Sequence, residues 1–361
     1  MNKNNYVAIM AGGIGSRFWP ASRTNKPKQF LDILSTGKTL IRSTFERFLK
    51  ICPVENIYIL TNIDYIDLVR EQLPELTDDQ ILGEPARKNT APCIAYVSYK
   101  IRQKNQDANI IVAPSDHIII NEDNYVATTT KALDFVSHND ALVTLGIVPT
   151  RPDTGYGYIQ FLEPEIEEEV YKVKTFTEKP NLATAERFIA TGEFLWNAGI
   201  FIWNVKNIIH AFETLLPDVS DAFLEIEDDL NTPVESLAIE RAFTQCPNIS
   251  VDFGIMEKAP NVYVIPSEFG WSDLGTWASL HAEYKKDESN NALSSDDIKI
   301  YDATNNMIKA PKDKLVVVQG LDNYIVVDTG DVLLICDKSK EQYIKQITLD
   351  LKKDKKGSEY I

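Results

Sequence analysis

Long apolar runs are absent from this sequence. Nowhere do about 18 or more apolar residues follow one another, which is the length that a membrane-spanning helix requires. The first residues, MNKNNYVAIMAGG, also lack the apolar core and the cleavage site of a secretory signal peptide. We therefore expect a cytoplasmic protein with no membrane partner.

Cysteine and histidine are scarce, with four of each among 361 residues. The cysteines lie far apart and form no Cys-x-x-Cys pair, so the sequence predicts neither a zinc site nor a redox pair. The histidines show no His-x-His or His-Glu-x-x-His spacing. Buried, reduced thiols in a cytosolic protein are the expected state of the cysteines.

The chain has fewer basic than acidic residues. It contains 37 Lys and Arg and 53 Asp and Glu, which gives a formal net charge of −16. Such a chain has no electrostatic footprint for duplex DNA or RNA, so we expect no nucleic-acid partner. The apolar fraction of 44% and the chain length suffice for one large α/β domain plus a smaller one.

Strand-like and helical patterns alternate through the first half of the chain. The predicted strands are Tyr6–Ala11, Asn56–Thr61, Ala108–Ala113 and Leu142–Gly146, and the predicted helices are Thr39–Ile51, Tyr65–Leu73, Thr90–Gln103 and Asn124–Ser137. This alternation favours a mostly parallel sheet covered by helices. Ligands bind such sheets at the carboxyl ends of the strands, so the loops after these strands are where chemistry is expected.

The second half divides into two blocks. Residues 150–280 mix aromatic-rich strands with helices, and we expect them to continue the first domain. Residues 286–297 are polar and are predicted to be a linker. Short β-type runs then follow at close spacing and predict a small all-β module of β-helix-like rungs, with a terminal helix over Lys340–Leu351. The predicted domains are 1–285 and 286–361.

A glycine-rich loop, Gly12-Gly13-Ile14-Gly15-Ser16-Arg17, follows the first predicted strand. Glycines at this place let the backbone approach a phosphate and present amide N–H groups to it. A dinucleotide fingerprint fails because Phe18 stands where the third glycine belongs. A Walker A loop ending at Gly37-Lys38-Thr39 fails because Asp32 stands at the first glycine. A tight turn with incidental surface charge remains the alternative.

The residues after the loop are strongly basic for an acidic protein. Arg17, Arg23, Lys26 and Lys28 stand within twelve residues of one another. Arg can clamp phosphate oxygens through two parallel hydrogen bonds, and Lys acts as a point charge.

These features lead to a resemblance that spans essentially the whole chain. Seven motifs stand in order: Ala11-Gly12-Gly13-x-Gly15-x-Arg17-x-x-Pro20 with Pro27-Lys28-Gln29-Phe30; Gly83-Glu84-Pro85 with Asn89-Thr90-Ala91-Pro92; Pro114-Ser115-Asp116-His117; Gly155-Tyr156-Gly157-Tyr158-Ile159; Phe176-x-Glu178-Lys179-Pro180; Trp196-Asn197-Ala198-Gly199-Ile200-Phe201; and Gly270-Trp271-Ser272-Asp273-Leu274-Gly275. Together they resemble the signature of sugar-nucleotide pyrophosphorylases. The Pro-Lys-Gln-Phe form resembles the mannose-1-phosphate guanylyltransferases in particular.

The resemblance implies an α/β fold: a Rossmann-like nucleotidyltransferase domain with a mixed, mostly parallel sheet, plus the small C-terminal β-helix-like module, a possible oligomerisation element. It also implies a homo-oligomer, as a dimer. Some bacterial relatives carry a fused phosphomannose isomerase module, which we do not expect in a chain that ends at residue 361.

The implied reaction transfers GMP from GTP to mannose 1-phosphate and releases pyrophosphate. The attacking phosphate oxygen is already an anion, so this chemistry needs positioning and charge neutralisation rather than a general base. The site should therefore combine several cations with Mg²⁺ and contain no Ser-His-Asp triad.

Residue roles follow from the resemblance. The implied catalytic residues are Arg17, Lys28 and Lys179; the nucleotide-binding residues are Gly12, Gly13, Gly15, Glu84, Asn89 and Thr90; the sugar-binding residues are Gly157, Glu178 and Asn197; and the Mg²⁺ ligands are Asp116 and Asp273. Purely structural roles are the alternative at several positions: an exposed lysine before a proline turn at Lys179, a cap at Asp116 and a turn-former at Asp273.

Two other functions stay open from the sequence alone. The same chemistry with another base or sugar, such as UTP or dTTP with glucose 1-phosphate, is the nearest. Pro-Lys-Gln-Phe favours the guanylyl assignment, because relatives acting on glucose 1-phosphate more often carry a different residue after the lysine. A non-catalytic subunit that binds a sugar nucleotide is the other, but the cations and acids that such a subunit would lose are all present.

Overall fold

Strands from both halves of the first 272 residues join in one sheet. In the computed structural model, which describes residues 2–361, these strands are β1 (Asn5–Met10), β2 (Ile57–Asn62), β3 (Ile81–Glu84), β4 (Asn109–Pro114), β5 (Ile118–Ile119), β6 (Leu142–Ile147), β7 (Tyr158–Glu167), β8 (Val170–Thr177), β9 (Phe194–Asn204), β10 (Val262–Ser267) and β11 (Trp271–Ser272). All but β5 and β11 form a nine-stranded sheet in the order β3-β2-β1-β4-β9-β6-β10-β8-β7.

The sheet is mixed but mostly parallel in direction. β1 pairs in parallel with β2 and β4, β2 with β3, and β6 with β10. β9 runs antiparallel between β4 and β6, and β8 runs antiparallel to β7 and β10. Within the sheet only β8 and β9 oppose the common direction, so the predicted fold class is confirmed and the second block does continue the first.

Helices follow most of the strands. Those in the chain are α1 (Leu40–Phe48), α2 (Ile66–Gln72), α3 (Thr90–Lys104), α4 (Glu122–His138), α5 (Leu182–Thr191), α6 (Val205–Leu215), α7 (Pro217–Leu224), α8 (Glu235–Gln245), α9 (Trp277–Glu283) and α10 (Ile344–Leu351). Within residues 2–361 no helix is both long and apolar enough to cross a membrane.

Three of these helices, α6, α7 and α8, were not predicted. β9 ends at Asn204 and α6 begins at the next residue, Val205. No glycine or proline therefore separates the two elements, so neither marks in the sequence where the helix begins. Asn204 makes this possible, since its side chain accepts a hydrogen bond from the Lys206 N–H at 3.0 Å and so caps the helix. Together with α3 they enclose buried aromatic residues such as Phe212 and Phe223.

The chain packs into two compact units. The first consists of Met1–Gly12, Thr44–Ser115 and Ile119–Trp271, and the second of Gly13–Ser43, Asp116–Ile118 and Ser272–Ile361. These units are defined by packing, and the division into domains at residue 285 stays a prediction.

The second unit contains the C-terminal strands, β12 (Ala292–Leu293), β13 (Ile298–Tyr301), β14 (Met307–Lys309), β15 (Val316–Gln319), β16 (Tyr324–Asp328) and β17 (Leu333–Asp337). β12, β14 and β16 stack in parallel, as do β13 and β15, so the chain coils through successive rungs as predicted. The predicted linker at 286–297 was wrong: it contains β12 and buries Asn291 and Ala292 completely.

Two ladders of asparagines explain why so polar a segment is packed. Asn290, Asn305 and Asn323 stand at the turns between rungs with positive φ, and their side chains hydrogen-bond from one rung to the next. Asn291 and Asn306 form a second, buried ladder, in which the Asn306 Nδ2 donates to Asn291 Oδ1 at 3.0 Å. Because asparagine tolerates left-handed backbone and has both donor and acceptor groups, it serves turn and rung at once.

The buried ladder gives a stability prediction. The Asn306 amide donates to the Leu321 carbonyl at 2.9 Å and accepts from the Tyr324 N–H at 2.7 Å. Asn306→Ala leaves the Tyr324 N–H without this acceptor and removes the amide hydrogen bonds to the Leu321 carbonyl and to Asn291, so we expect it to lower the free energy of unfolding by about 3 kcal/mol. Urea unfolding followed by tryptophan fluorescence measures this, with the exposed Asn248→Ala as the matched control. Equal losses in the two variants would contradict the ladder's role.

Candidate active site

The glycine loop and the Pro27–Phe30 segment fold tightly against each other in the second unit. Gly15 has a φ of +71°, and a Cβ built on it would lie 2.5 Å from the Cβ of Lys28. Both the left-handed backbone and the close approach exclude a side chain at this position. The spacing of the two sequence motifs is therefore a packing requirement.

Three consecutive carbonyls of the loop are turned toward protein donors. The Gly13 carbonyl accepts from the buried Gln29 amide at 2.9 Å, and the Ile14 carbonyl accepts from the Ser22 hydroxyl and the Lys28 N–H. The Gly15 carbonyl accepts from the Phe18 N–H at 2.9 Å.

The N–H groups of Gly13, Ile14 and Gly15 are left available. In a trans peptide the N–H points away from the carbonyl, so those of Ile14 and Gly15 face the opposite side. Among residues 2–361 the N–H groups of Gly13, Ile14 and Gly15 have no hydrogen-bond partner. Successive free N–H groups of this kind form an anion-binding concavity.

Lys28 is a buried cation beside this loop. Its side chain is 4% exposed, and its ammonium donates to Asp116 Oδ2 and to the Asp273 carbonyl, both at 2.8 Å. It also lies 5.3 Å from the centre of the Phe18 ring, within the range of a cation–π contact. The structure thus brings three of the predicted site residues together around one nitrogen.

Asp116 remains ionised in this setting. Burial alone would raise the pKa of its carboxyl, but Lys28 and His117 outweigh burial and keep that pKa below its ordinary value. Its side chain is still 31% exposed, so one face of the carboxylate is accessible. The Asp273 carboxylate accepts from the Gly275 N–H at 3.0 Å, which fixes its loop.

Arg17 differs from Lys28 in being exposed. It stands in the short helical turn Ser16–Phe18 directly after the glycine loop, and among residues 2–361 its side chain makes no hydrogen bond or ion pair. An arginine without an ion-pair partner is free to bind an external anion.

The first unit contains the other predicted residues, in two groups. Glu84, at the end of β3, places its Oε1 3.5 Å from the point that a Cβ on Gly12 would occupy. Burial raises the pKa of the Glu84 carboxyl to about 8, although Arg87 acts to lower it. Glu84 is thus a buried carboxyl close to the start of the glycine loop.

Asn89 and Thr90 stand at the start of α3. Asn89 has a φ of +67° and caps the helix by accepting from the Thr90 N–H. The Thr90 hydroxyl accepts from the Val251 N–H at 2.9 Å, so it connects α3 to the π-helical turn Asp252–Met256. Both side chains therefore make structural hydrogen bonds, and among residues 2–361 no hydrogen bond joins either of them to Glu84.

Gly157, Glu178 and Asn197, the residues expected to bind the sugar, lie next to one another. A Cβ on Gly157 would collide with Glu178 Oε2 and would lie 3.3 Å from the Cβ of Asn197. The Asn197 N–H also donates to the Gly157 carbonyl at 2.8 Å. A carboxylate and an amide held against bare backbone make a polar pocket that suits hydroxyl groups. Lys179 pairs with Glu178, has a φ of +47° and is 61% exposed.

Asp252 was missed from the sequence. Its Oδ1 accepts from Asn197 Nδ2 at 2.9 Å, while Asn197 Oδ1 accepts from the Thr144 hydroxyl and the Gly199 N–H. Burial and the neighbouring Glu178 raise the pKa of Asp252 to about 6. The local sequence Asp252-Phe253-Gly254 does not indicate a binding residue, because the π-helical turn that positions Asp252 depends on tertiary packing.

The acids do not form a metal cage of protein ligands alone. Among residues 2–361 no group of three or more His, Cys, Asp and Glu side chains is placed to bind a metal. Two accessible carboxylates near an anion-binding loop do fit Mg²⁺, which typically takes one or two carboxylates together with waters and substrate phosphates.

The class of protein is shown by comparison with known families. Residues 6–290 match the nucleotidyl transferase family, and residues 297–351 match a MannoseP isomerase/GMP-like β-helix domain. The chain therefore belongs to the nucleotidyl transferase family.

Individual proteins that are similar to this chain carry more specific descriptions than the family does. A mannose-1-phosphate guanylyltransferase from Salmonella muenchen is 34% identical over 95% of this chain and 72% of its own length. One from Escherichia coli is 33% identical over 98% of this chain and 77% of its own. The crystal structure of a protein described as mannose-1-phosphate geranyltransferase from Thermus thermophilus matches with a TM-score of 0.88 at 28% identity, over 97% of this chain and 99% of that one. The resemblance read from the seven motifs is confirmed.

The buried Glu84 carboxyl predicts a pH-dependent stability. The folded protein retains this proton up to about pH 8, whereas the unfolded chain releases it near the ordinary value of 4.5. The free energy of unfolding should therefore fall as the pH rises through this window. Glu84→Gln removes the titration, so its stability relative to the wild type should grow by up to about 4 kcal/mol from pH 5 to pH 8.

Urea unfolding at several pH values measures the effect. Glu71→Gln, at an exposed position of α2, is the matched control for loss of one carboxylate. A difference between Glu84→Gln and wild type that stays constant with pH would show that the carboxyl is ionised in the folded protein.

Proposed function

We propose that this protein transfers GMP from GTP to α-D-mannose 1-phosphate, giving GDP-mannose and pyrophosphate. The observation that carries the proposal is the row of free N–H groups beside a buried lysine–aspartate pair, in a chain whose relatives are mannose-1-phosphate guanylyltransferases. The proposed activity makes it an enzyme of nucleotide-sugar biosynthesis.

The reaction is an in-line displacement at phosphorus. An oxygen of the sugar phosphate forms a bond to the α-phosphorus of GTP as the bond from that phosphorus to the bridging oxygen breaks, and pyrophosphate leaves with the electron pair. The attacking oxygen is already anionic, so no proton has to be removed. Two polyanions must instead be held together, which is why cations and N–H donors dominate the proposed site.

The glycine loop and its cations are proposed to bind the triphosphate. The N–H groups of Gly13, Ile14 and Gly15 donate to phosphate oxygens, and the exposed Arg17 clamps the developing charge. Lys28 contributes a fixed positive charge, and through two hydrogen bonds it orients Asp116 and the Asp273 loop. Gly12, Glu84, Asn89 and Thr90 are proposed to serve the nucleotide, with Glu84 as an acceptor for guanine donors.

The convergent group in the first unit is proposed to bind the sugar. Glu178 and Asn197 offer acceptors and a donor to hydroxyls, and Gly157 allows the ring to come close. Lys179 can leave Glu178 for the sugar phosphate, because its side chain is largely exposed. Asp252 fixes the Asn197 amide and thereby its direction.

A divalent metal is characteristic of nucleotidyl transferases, and we propose Mg²⁺ with Asp116 and Asp273 as its protein ligands. Bound there, Mg²⁺ would neutralise phosphate charge as a Lewis acid. Lys28 keeps the Asp116 carboxylate ionised, as a metal ligand must be.

We also propose that the protein is a cytoplasmic homodimer. Exposed apolar side chains on the rungs, such as Val317, Leu333 and Ile335, support self-association through the β module.

Nucleotide choice is the direct test of the proposed function. Protein, Mg²⁺ and mannose 1-phosphate are incubated with GTP, ATP, UTP or dTTP, and pyrophosphate release is measured. We expect the largest kcat/KM with GTP. Faster release with dTTP or UTP would assign the chain to another base, and no release with any of the four would support the non-catalytic alternative.

Two substitutions test the assigned roles. Arg17→Ala and Asp273→Ala should each lower kcat/KM by about a hundredfold or more, on the scale of other preorganised contacts to a transition state. Arg187→Ala, which removes an exposed arginine on α5, is the matched control and should keep full activity. Circular dichroism verifies the fold of each variant, and full activity in either test variant would remove that residue from the site.

A further inference from the structure

A cavity of about 610 Å³ lies within the second unit. It is lined by residues of the segment after the glycine loop, among them Arg23 and Lys26, and by residues of the rungs, among them Lys309 and Asp331. Its size is in the range of cavities that bind small organic molecules.

Two basic residues that have no role in the proposed active site, Arg23 and Lys26, line this cavity. Of the four cations in the stretch from Arg17 to Lys28, Arg17 and Lys28 lie with the glycine loop. Arg23 and Lys26 line the cavity instead. A backbone bridge between Arg23 and Lys26, with N–H···O distances of 3.1 Å in both directions, turns the chain so that they lie on one wall.

The carboxylates in the wall are already neutralised. Arg23 binds Asp331 through two hydrogen bonds, at 2.6 and 2.7 Å, and also reaches the Thr329 hydroxyl. Asp328 pairs with Lys314 at 2.5 Å and accepts from the Gly330 N–H. These acids therefore cannot compensate further cations.

Two lysines that line the cavity, Lys26 and Lys309, lack an ion-pair partner within residues 2–361. Lys309, on β14, is half-buried and donates only to the Ile33 carbonyl, at 3.1 Å, among residues 2–361. Burial lowers the pKa of Lys309, and the charge of Asp32 offsets this only in part. Lys26 is exposed and has no side-chain partner within the described chain. In a protein of net charge −16, two lysines that line one cavity and have no ion-pair partner favour an anionic ligand.

We propose that this cavity is a second anion site, separate from the glycine loop, that binds a small phosphate monoester through Lys26 and Lys309. A phosphate dianion matches two ammonium charges, and charge-assisted hydrogen bonds to it are strong. The apolar part of the wall, formed by Pro20, Ala21, Pro311 and Val327, packs against the carbon skeleton that carries the phosphate. Asn25 offers a polar group to its hydroxyls.

Glucose 6-phosphate is a suitable probe, because it is a phosphate monoester on a compact polar body and has no phosphate at C1. Isothermal titration of the full chain measures its binding, with glucose as the uncharged comparison. We expect glucose 6-phosphate to bind to the wild type and equally well to Arg17→Ala. Lys26→Gln and Lys309→Gln should each weaken binding by roughly tenfold or more.

Lys312→Gln is the matched control, because it removes an exposed lysine close to the cavity that does not line it. It should bind as the wild type does. Lys26 is exposed, so Lys26→Gln remains informative if Lys309→Gln fails to fold. Absence of binding to the wild type, binding lost in Arg17→Ala, or equal losses in Lys26→Gln and Lys312→Gln would each overturn the proposal. No turnover is involved, so these outcomes are independent of the transfer reaction.

Discussion

The orientation of the peptide groups from Gly13 to Gly15 is the constraint on which the proposed chemistry depends. Gln29, Ser22 and the Phe18 N–H draw the carbonyls to one side, so the N–H groups face the other and lack partners within the described chain. A flexible glycine segment would lose conformational entropy on binding phosphate, whereas a fixed one has lost it during folding. The glutamine of the Pro-Lys-Gln-Phe motif, Gln29, thus has a structural role that is distinct from the choice of nucleotide base.

Charge compensation is the second level of organisation. Lys28 is buried because Asp116 and a main-chain carbonyl receive its hydrogen bonds, and Asp116 stays ionised because Lys28 is there. Either charge alone would be costly to bury. Glu84 shows the opposite case, since a buried carboxyl with only Arg87 nearby has its pKa raised to about 8. An acidic protein can bind polyanions when it places cations, such as Arg17, beside free N–H donors.

The features that were predicted correctly from the sequence are those that a local sequence pattern determines. Buried parallel strands such as β1 and β4 read as apolar runs, and the glycine loop follows from its composition. The missed features depend on packing: α6 starts on a strand's last residue without a punctuating glycine, and Asp252 enters its pocket through a π-helical turn. The segment 286–297 was predicted to be a linker because it is polar. It is packed instead, because its asparagines hydrogen-bond to the next rung rather than to water. Residue roles came from resemblance, and the geometry brings Gly157, Glu178 and Asn197 together while giving Asn89 and Thr90 structural contacts.

The most direct test of the central claim is a crystal structure of the protein with GTP. We expect triphosphate oxygens about 2.9 Å from the amide nitrogens of Ile14 and Gly15, with Gln29 still hydrogen-bonded to the Gly13 carbonyl. A triphosphate bound away from this loop, or loop peptides reversed so that their carbonyls face the phosphates, would contradict it.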